Sequence, residues 1–185
     1  ALLLSGSKLK KQALFMCLLD AFTFGFEKHS KSYYTVRKGV ALLQEEWNKN
    51  EKMSRYAQVC GISESGFYTY FKKWAGCSPT DYRNKIRINA AKSMIENSNL
   101  QISEIAFNTG FDDPYYFSRL FKSYTGKSFT EYLKSKRIER AVMLVKTTDS
   151  KVLDIASEVG YTDSTKFFAD FKNITGKTPL QYRKS

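Results

Sequence analysis

The chain has 185 residues of ordinary apolar content, with 30 basic against 18 acidic side chains and a net charge of +12. That length allows one large domain or a few small ones, and the charge suits a partner rich in phosphates, nucleic acid or an anionic membrane surface. A single histidine, His29, and three cysteines without a CxxC pair, Cys17, Cys60 and Cys77, argue against a zinc site or a disulfide framework and for reduced thiols in a cytosolic protein. No apolar run reaches membrane-spanning length and no signal peptide is expected, while a start at Ala1 without Met suggests a fragment.

The first predicted element is the apolar stretch Lys8 to Phe26, "KLKKQALFMCLLDAFTFGF". A helix packed on the first helical unit of the chain and an amphipathic membrane helix are both open readings for it. Thr35 to Asn48 comes next as a helix, with Val36, Val40, Leu43 and Trp47 on one stripe.

From residue 53 onward the chain repeats itself. "FKKWAGCSPTDY" (Phe71 to Tyr82), "FKSYTGKSFTEY" (Phe121 to Tyr132) and "FKNITGKTPLQY" (Phe171 to Tyr182) stand fifty residues apart. Phe67, Phe117 and Phe167 align, as do Lys72, Lys122 and Lys172, and Gly76, Gly126 and Gly176. Ala57 answers Ala106 and Ala156, and Gly61 answers Gly110 and Gly160 after a one-residue deletion in the first copy. A fixed period of this kind marks a repeated structural unit.

Within a unit the periodicity is helical. Ile102, Ile105 and Ala106 form a short stripe ended by Gly110, and Asp113 with Pro114 is a capping start for a second helix. Ser63 and Asp163 take the capping place in the other copies. The second helix carries Phe117, Leu120, Phe121 and Tyr124 at i, i+3, i+4, i+7 and stops at Gly126. Two helices around a short glycine turn make a helix-turn-helix pattern. Asp170 interrupts the apolar stripe of the third copy, where the second has Leu120. Long basic helices, Asp81 to Asn97 and Glu131 to Lys146, each apolar on one stripe, join the units. Their Arg87 and Arg137 could touch phosphate or brace the next unit. With no alternating strand pattern, the chain reads as all-α, homeodomain-like helix-turn-helix units in tandem: 1–33 an N-terminal helical fragment, 34–97 the first unit, 98–147 the second, 148–185 the third.

The face opposite each apolar stripe carries small polar groups, aromatics and cations, which suit base edges and phosphates in a major groove. In the first copy these are Ser65, Tyr68, Thr69 and Lys72; in the second Tyr115, Ser118, Arg119 and Lys122; in the third Thr165, Lys166, Phe168, Ala169 and Lys172. Phe168 and Ala169 cannot hydrogen-bond to bases, so the third copy reads shape or thymine methyls. No histidine-centred constellation, phosphate loop or metal-ligand spacing is present, and Asp112 and Asp113 read as helix caps, so neither an enzyme nor a cofactor is expected.

"ISEIAFNTGFDDPYYFSRLFKSYTGKSFTEY" and "VLDIASEVGYTDSTKFFADFKNITGKTPLQYR" resemble the C-terminal DNA-binding domain of AraC/XylS-type transcriptional regulators, from about Met53 onward. The resemblance implies two recognition helices in successive major grooves, and maps base reading onto Ser65, Tyr68 and Thr69, onto Tyr115, Ser118 and Arg119, and onto Thr165, Phe168 and Ala169. This chain carries three units where the family has two, its middle copy combining the front of a second unit with the back of a first. The resemblance also implies double-stranded promoter or operator DNA as partner, RNA polymerase as a further one for an activator, and no membrane. It further implies a cytoplasmic, nucleoid-associated protein, and a homodimer through a missing sensory or dimerisation part, whose last helix Lys8 to Phe26 would then be. The alternative function is an α-helical repeat scaffold for protein partners.

Overall fold

The computed structural model describes residues 31–97 and 101–184; the segment Lys8 to Phe26 lies outside them. Ten helices and no strand occur among the described residues. In chain order they are α1 (Lys31–Glu45), α2 (Met53–Val59), α3 (Glu64–Ala75), α4 (Pro79–Asn97), α5 (Ile102–Asn108), α6 (Pro114–Thr125), α7 (Phe129–Thr147), α8 (Val152–Glu158), α9 (Ser164–Thr175) and α10 (Pro179–Arg183). The pattern of short helix, turn and longer helix occurs at α2–α3, α5–α6 and α8–α9, with α4 and α7 as the long joining helices.

The helices start and stop where local chemistry requires. The Ser63 side chain accepts the Gly66 N–H to open α3, and Asp163 accepts from Thr165 and Lys166 to open α9. Ser128 with Glu131, and Thr178 with Gln181, form reciprocal capping boxes that open α7 and α10. At the other end of α3, Gly76 takes φ 71° and its N–H bonds the Lys72 carbonyl, a left-handed stop that glycine adopts without a Cβ penalty.

The described chain falls into two compact units, one built from Ile102–Phe117 and the chain up to Ser93, the other from Met94–Gln101 and the chain beyond Ser118. The first has its core where Val36, Val40 and Leu43 of α1 meet Met53, Tyr56 and Ala57 of α2, Phe67 and Phe71 of α3, and Ile86 of α4. The second has the same plan: Ile138, Ala141 and Val145 of α7 against Val152, Ile155 and Ala156 of α8, Val159, and Phe167 and Phe171 of α9. A long-helix stripe, a short-helix triple and an i, i+4 phenylalanine pair therefore make each core. Each of these phenylalanines is wholly buried, so truncation to Ala costs about 3–5 kcal/mol.

This packing explains the phrase that recurs every fifty residues. Its first Phe and last Tyr meet edge to face: Phe71 with Tyr82 at 5.3 Å, Phe121 with Tyr132 at 5.4 Å, and Phe171 with Tyr182 at 5.8 Å between ring centroids. The glycine stop and the Ser or Thr cap between them turn the chain so that the rings can touch.

Three expectations need correction. The helix expected over Thr35 to Asn48 ends at Glu45, because the carbonyls of Trp47 and Lys49 accept hydrogen bonds from Arg87 in a turn instead of continuing the helix. The α4 helix is not apolar on a single stripe: the consecutive residues Ile86, Arg87 and Ile88 are all buried, so it is covered on more than one side. Asp170 does not merely interrupt a stripe. It is buried, 2.8 Å from Lys134 Nζ, and accepts a hydrogen bond from the Tyr161 hydroxyl at 3.2 Å.

Candidate nucleic-acid interface

Each candidate recognition helix is anchored by its buried phenylalanine pair, which fixes what the opposite face presents. On α3, Phe67 and Phe71 point inward, and Ser65, Thr69 and Lys72 point to solvent one turn apart. The Thr69 hydroxyl donates to the Ser65 carbonyl at 2.9 Å, leaving its methyl and oxygen lone pairs outward. Tyr68 is different: it is half-buried, packs against the core, and its hydroxyl lies 3.0 Å from that of Thr80. As a base reader Tyr68 would have to break or share that bond, so it serves first to tie α3 to the start of α4.

On α6, Tyr115 is the most exposed large apolar residue, with 84% of its surface accessible, and its N–H is taken by Asp113 Oδ1 at 2.8 Å. Arg119 and Lys122 follow on the exposed face, with Ser118 half-buried beside them. On α9, Thr165, Lys166, Ala169 and Lys172 are exposed; Phe168 is partly exposed and lies edge-on to buried Phe167 at 5.6 Å. Of the twelve positions expected to contact DNA, Ser65, Thr69, Lys72, Tyr115, Arg119, Lys122, Thr165, Lys166, Phe168 and Lys172 are exposed, and Tyr68 and Ser118 are half-buried.

Two acidic residues expected to act alike do not. Asp113 caps α6, as expected, whereas the Asp112 side chain accepts a hydrogen bond from Asn50 Nδ2 at 2.6 Å. Asn50 in turn accepts from Arg87, a residue only 3% exposed, which also donates to the carbonyls of Trp47, Lys49 and Gly110 at 2.7, 2.8 and 2.7 Å. Arg87 is thus a brace and not a phosphate contact. Burial, with Arg83 nearby, draws its pKa down to about 10, so it remains charged at neutral pH. The sequence flagged Arg87 through its repetition at Arg137. Asn50 carried no such signal, because it acts from a loop outside the repeat.

Local ion pairs and caps add fixed charge around this scaffold. Hydrogen bonding from Lys49 holds the Glu46 carboxyl below its usual range, and bonds from the Ser128 side chain and backbone do the same for Glu131. Burial pushes the Cys77 thiol upward, away from the reactive thiolate. Among the described residues no cluster of three or more His, Cys, Asp or Glu is placed to hold a metal, and no helix is long and apolar enough to cross a membrane.

The helix-turn-helix domain family matches residues 56–126 and again residues 114–185. The two matches overlap on α6. The transcriptional activator Btr of Bacillus subtilis is 35% identical over 103 residues, covering 56% of this chain and 20% of that protein. The lactose operon transcription activator of Staphylococcus xylosus is 30% identical over 84 residues, 45% of this chain and 30% of that protein. This chain thus spans less than a third of the length of either relative. Among solved structures, the DNA-binding domain of AdpA in complex with a target DNA matches with a TM-score of 0.54 and 23% identity, over 57% of this chain and 96% of that one, a likeness of fold. The chain belongs to the AraC-type helix-turn-helix family, the family of DNA-binding transcriptional regulators.

Proposed function

We propose that this chain is the sequence-reading part of a transcription regulator, binding double-stranded promoter or operator DNA through helices α3, α6 and α9 in major grooves. The observation that carries this reading is the repeated face. Three helices of twelve residues, each held by an i, i+4 phenylalanine pair, turn a small hydroxyl or ring and a lysine outward at corresponding positions. Lys72, Lys122 and Lys172 supply phosphate contacts; Ser65, Thr69, Tyr115, Ser118, Arg119 and Thr165 supply base readout, with Lys166 at the groove edge and Phe168 against thymine methyls. The chain is read as three units, 34–97, 98–147 and 148–185, in which the first two form the better hydrogen-bonding pair. The weakly polar α9 contributes less base readout, through Thr165 and Phe168, and adds phosphate contacts. Action in the cytoplasm on the nucleoid, contact with RNA polymerase during activation, and dimerisation through residues N-terminal to the described region belong to the same proposal.

The test is selection of a duplex from a randomised pool with the whole chain, followed by binding across a salt series. Log affinity should fall linearly with log salt, with a slope on the order of −0.9 for each phosphate contacted. Two engaged helices should protect about two helical turns, and three about one turn more. A flat salt dependence would overturn the DNA reading in favour of a protein-binding helical scaffold.

A further inference from the structure

Arg87 is bonded to both sides of a joint. Its guanidinium holds the carbonyls of Trp47 and Lys49 in the loop before α2, and the carbonyl of Gly110 in the turn before α6. It also faces the Phe111 ring at 5.3 Å. Asn50 completes the set, accepting from Arg87 at 3.0 Å and donating to Asp112 at 2.6 Å, so the arginine's charge is matched to a carboxylate through one amide. The turn is pressed closely onto this seat: a Cβ on Gly110, where φ is +83°, would stand 2.2 Å from the Asn48 carbonyl oxygen and 2.8 Å from Arg87 Nη2.

The chain supplies its own comparison. At the next joint a Cβ on Gly160 would lie 3.0 Å from Arg137 Cζ, and Arg137 faces the Tyr161 ring at 5.8 Å. At the first copy a Cβ on Gly61 would meet nothing within 4 Å. The buried Val36, Gly39 and Leu43 of α1 answer Ile88, Ala91 and Ile95 of α4. In that register Thr35 stands where Arg87 does, and its hydroxyl bonds Lys31 of its own helix. The arginine and the pressed glycine occur together at both units that follow a joining helix, and both are missing from the unit that follows α1.

We propose that Arg87 is a positioning residue for DNA recognition: with Asn50 and Asp112 it sets the placement of the α6 N-terminus, which carries Tyr115, relative to α3, and so the spacing between the base contacts of Tyr115 and those of Ser65 and Thr69 that the chain accepts. This rests on the DNA-binding reading. A guanidinium that bonds three carbonyls and an amide at once fixes direction as well as distance, because its donors form a planar fork. A lysine keeps the charge and loses the fork. Rigid spacing is what makes the second contact effectively intramolecular.

The experiment uses the whole chain and the duplex selected with it, beside the same duplex carrying one extra base pair between the two protected segments, a shift of roughly 3.4 Å along the axis. The wild-type chain should bind the lengthened duplex at least ~100-fold more weakly, the scale of advantage that linked contacts confer. Arg87→Lys should cut that preference by about tenfold and leave the salt slope unchanged, whereas loss of a phosphate contact would flatten the slope by about 0.9. Asn50→Ala, in an exposed loop, should cut the preference in the same direction with the thermal melt preserved. A folded Arg87→Lys chain that keeps the full spacing preference overturns the inference while the DNA reading stands. If Arg87→Lys does not fold, Asn50→Ala decides by the same criterion. If no salt-sensitive duplex is selected at all, the DNA reading fails first and the inference with it.

Discussion

Replacing Lys134 should show how the third unit is held to its joining helix. Lys134 Nζ lies 2.8 Å from the Asp170 carboxylate, whose side chain is 8% exposed, while the lysine is 37% exposed. The Tyr161 hydroxyl donates to the same carboxylate at 3.2 Å. Fifty residues earlier the corresponding positions hold Asn84, Leu120 and Phe111, an uncharged set. Removing one partner of a buried pair costs about 3–5 kcal/mol, because the other charge is stranded. Water reaches the lysine end and screens part of that, so Lys134→Ala should cost about 2–3 kcal/mol. In a domain of this size that lowers the melting temperature of the 118–184 part by on the order of 10–20 °C. The triple variant Lys134→Asn, Asp170→Leu, Tyr161→Phe copies the preceding joint and leaves no stranded charge, so it should recover most of the loss. Urea denaturation of the whole chain, with melting by circular dichroism, reads both. A Lys134→Ala chain within about 0.5 kcal/mol of wild type would refute the reasoning, as would a triple variant no more stable than the single.

Arg119→Ala should cost about 1–3 kcal/mol on the selected duplex and relax preference at one base pair, while Lys122→Ala should weaken all sequences alike; competition binding against single-base variants separates the two. Gly110→Ala should prevent stable folding or cost several kcal/mol because of the 2.2 Å approach to the Asn48 carbonyl. Gly126→Ala, at φ +73° in open space, should cost only about 1–2 kcal/mol of backbone strain, and the pair is compared by urea midpoint. Burial first, then the Asp170 carboxylate, hold the Tyr161 phenol well above its ordinary value of 10.0. The fold therefore favours the neutral phenol, a contribution fully present below about pH 10 and lost as pH rises beyond it, and Tyr161→Phe should make stability fall less steeply in that alkaline range.

Much of the local structure was legible because its causes are local. Ser63, Asp113 and Asp163 could be read as caps since an N-cap needs only its own side chain and the next turn of backbone. The phenylalanine pairs could be assigned to the core from their i, i+4 spacing, and the outward residues came with them as the opposite face. Tyr68 escaped that logic. Its place on the outward face is correct by periodicity, but Thr80, twelve residues on, holds its hydroxyl. Asp112 escaped it too, since neighbouring Asp113 is the cap and Asp112 reaches sixty-two residues back to Asn50.

By itself the amino-acid sequence determined most of the helices, their caps and stops, the fifty-residue repeat, the inward aromatic pairs, and the exposure of basic residues on the opposite faces. These arise from side-chain period, backbone permissiveness and charge, which each residue carries wherever it sits. Tertiary structure alone decided whether Arg87 braces or binds phosphate, why Gly110 must be glycine while Gly61 stands free, and that Asp170 is a paired charge and not a fault in a stripe. Each of those outcomes depends on which groups arrive from distant parts of the chain, because a buried charge is tolerable only where carbonyls, amides or an opposite charge come to meet it.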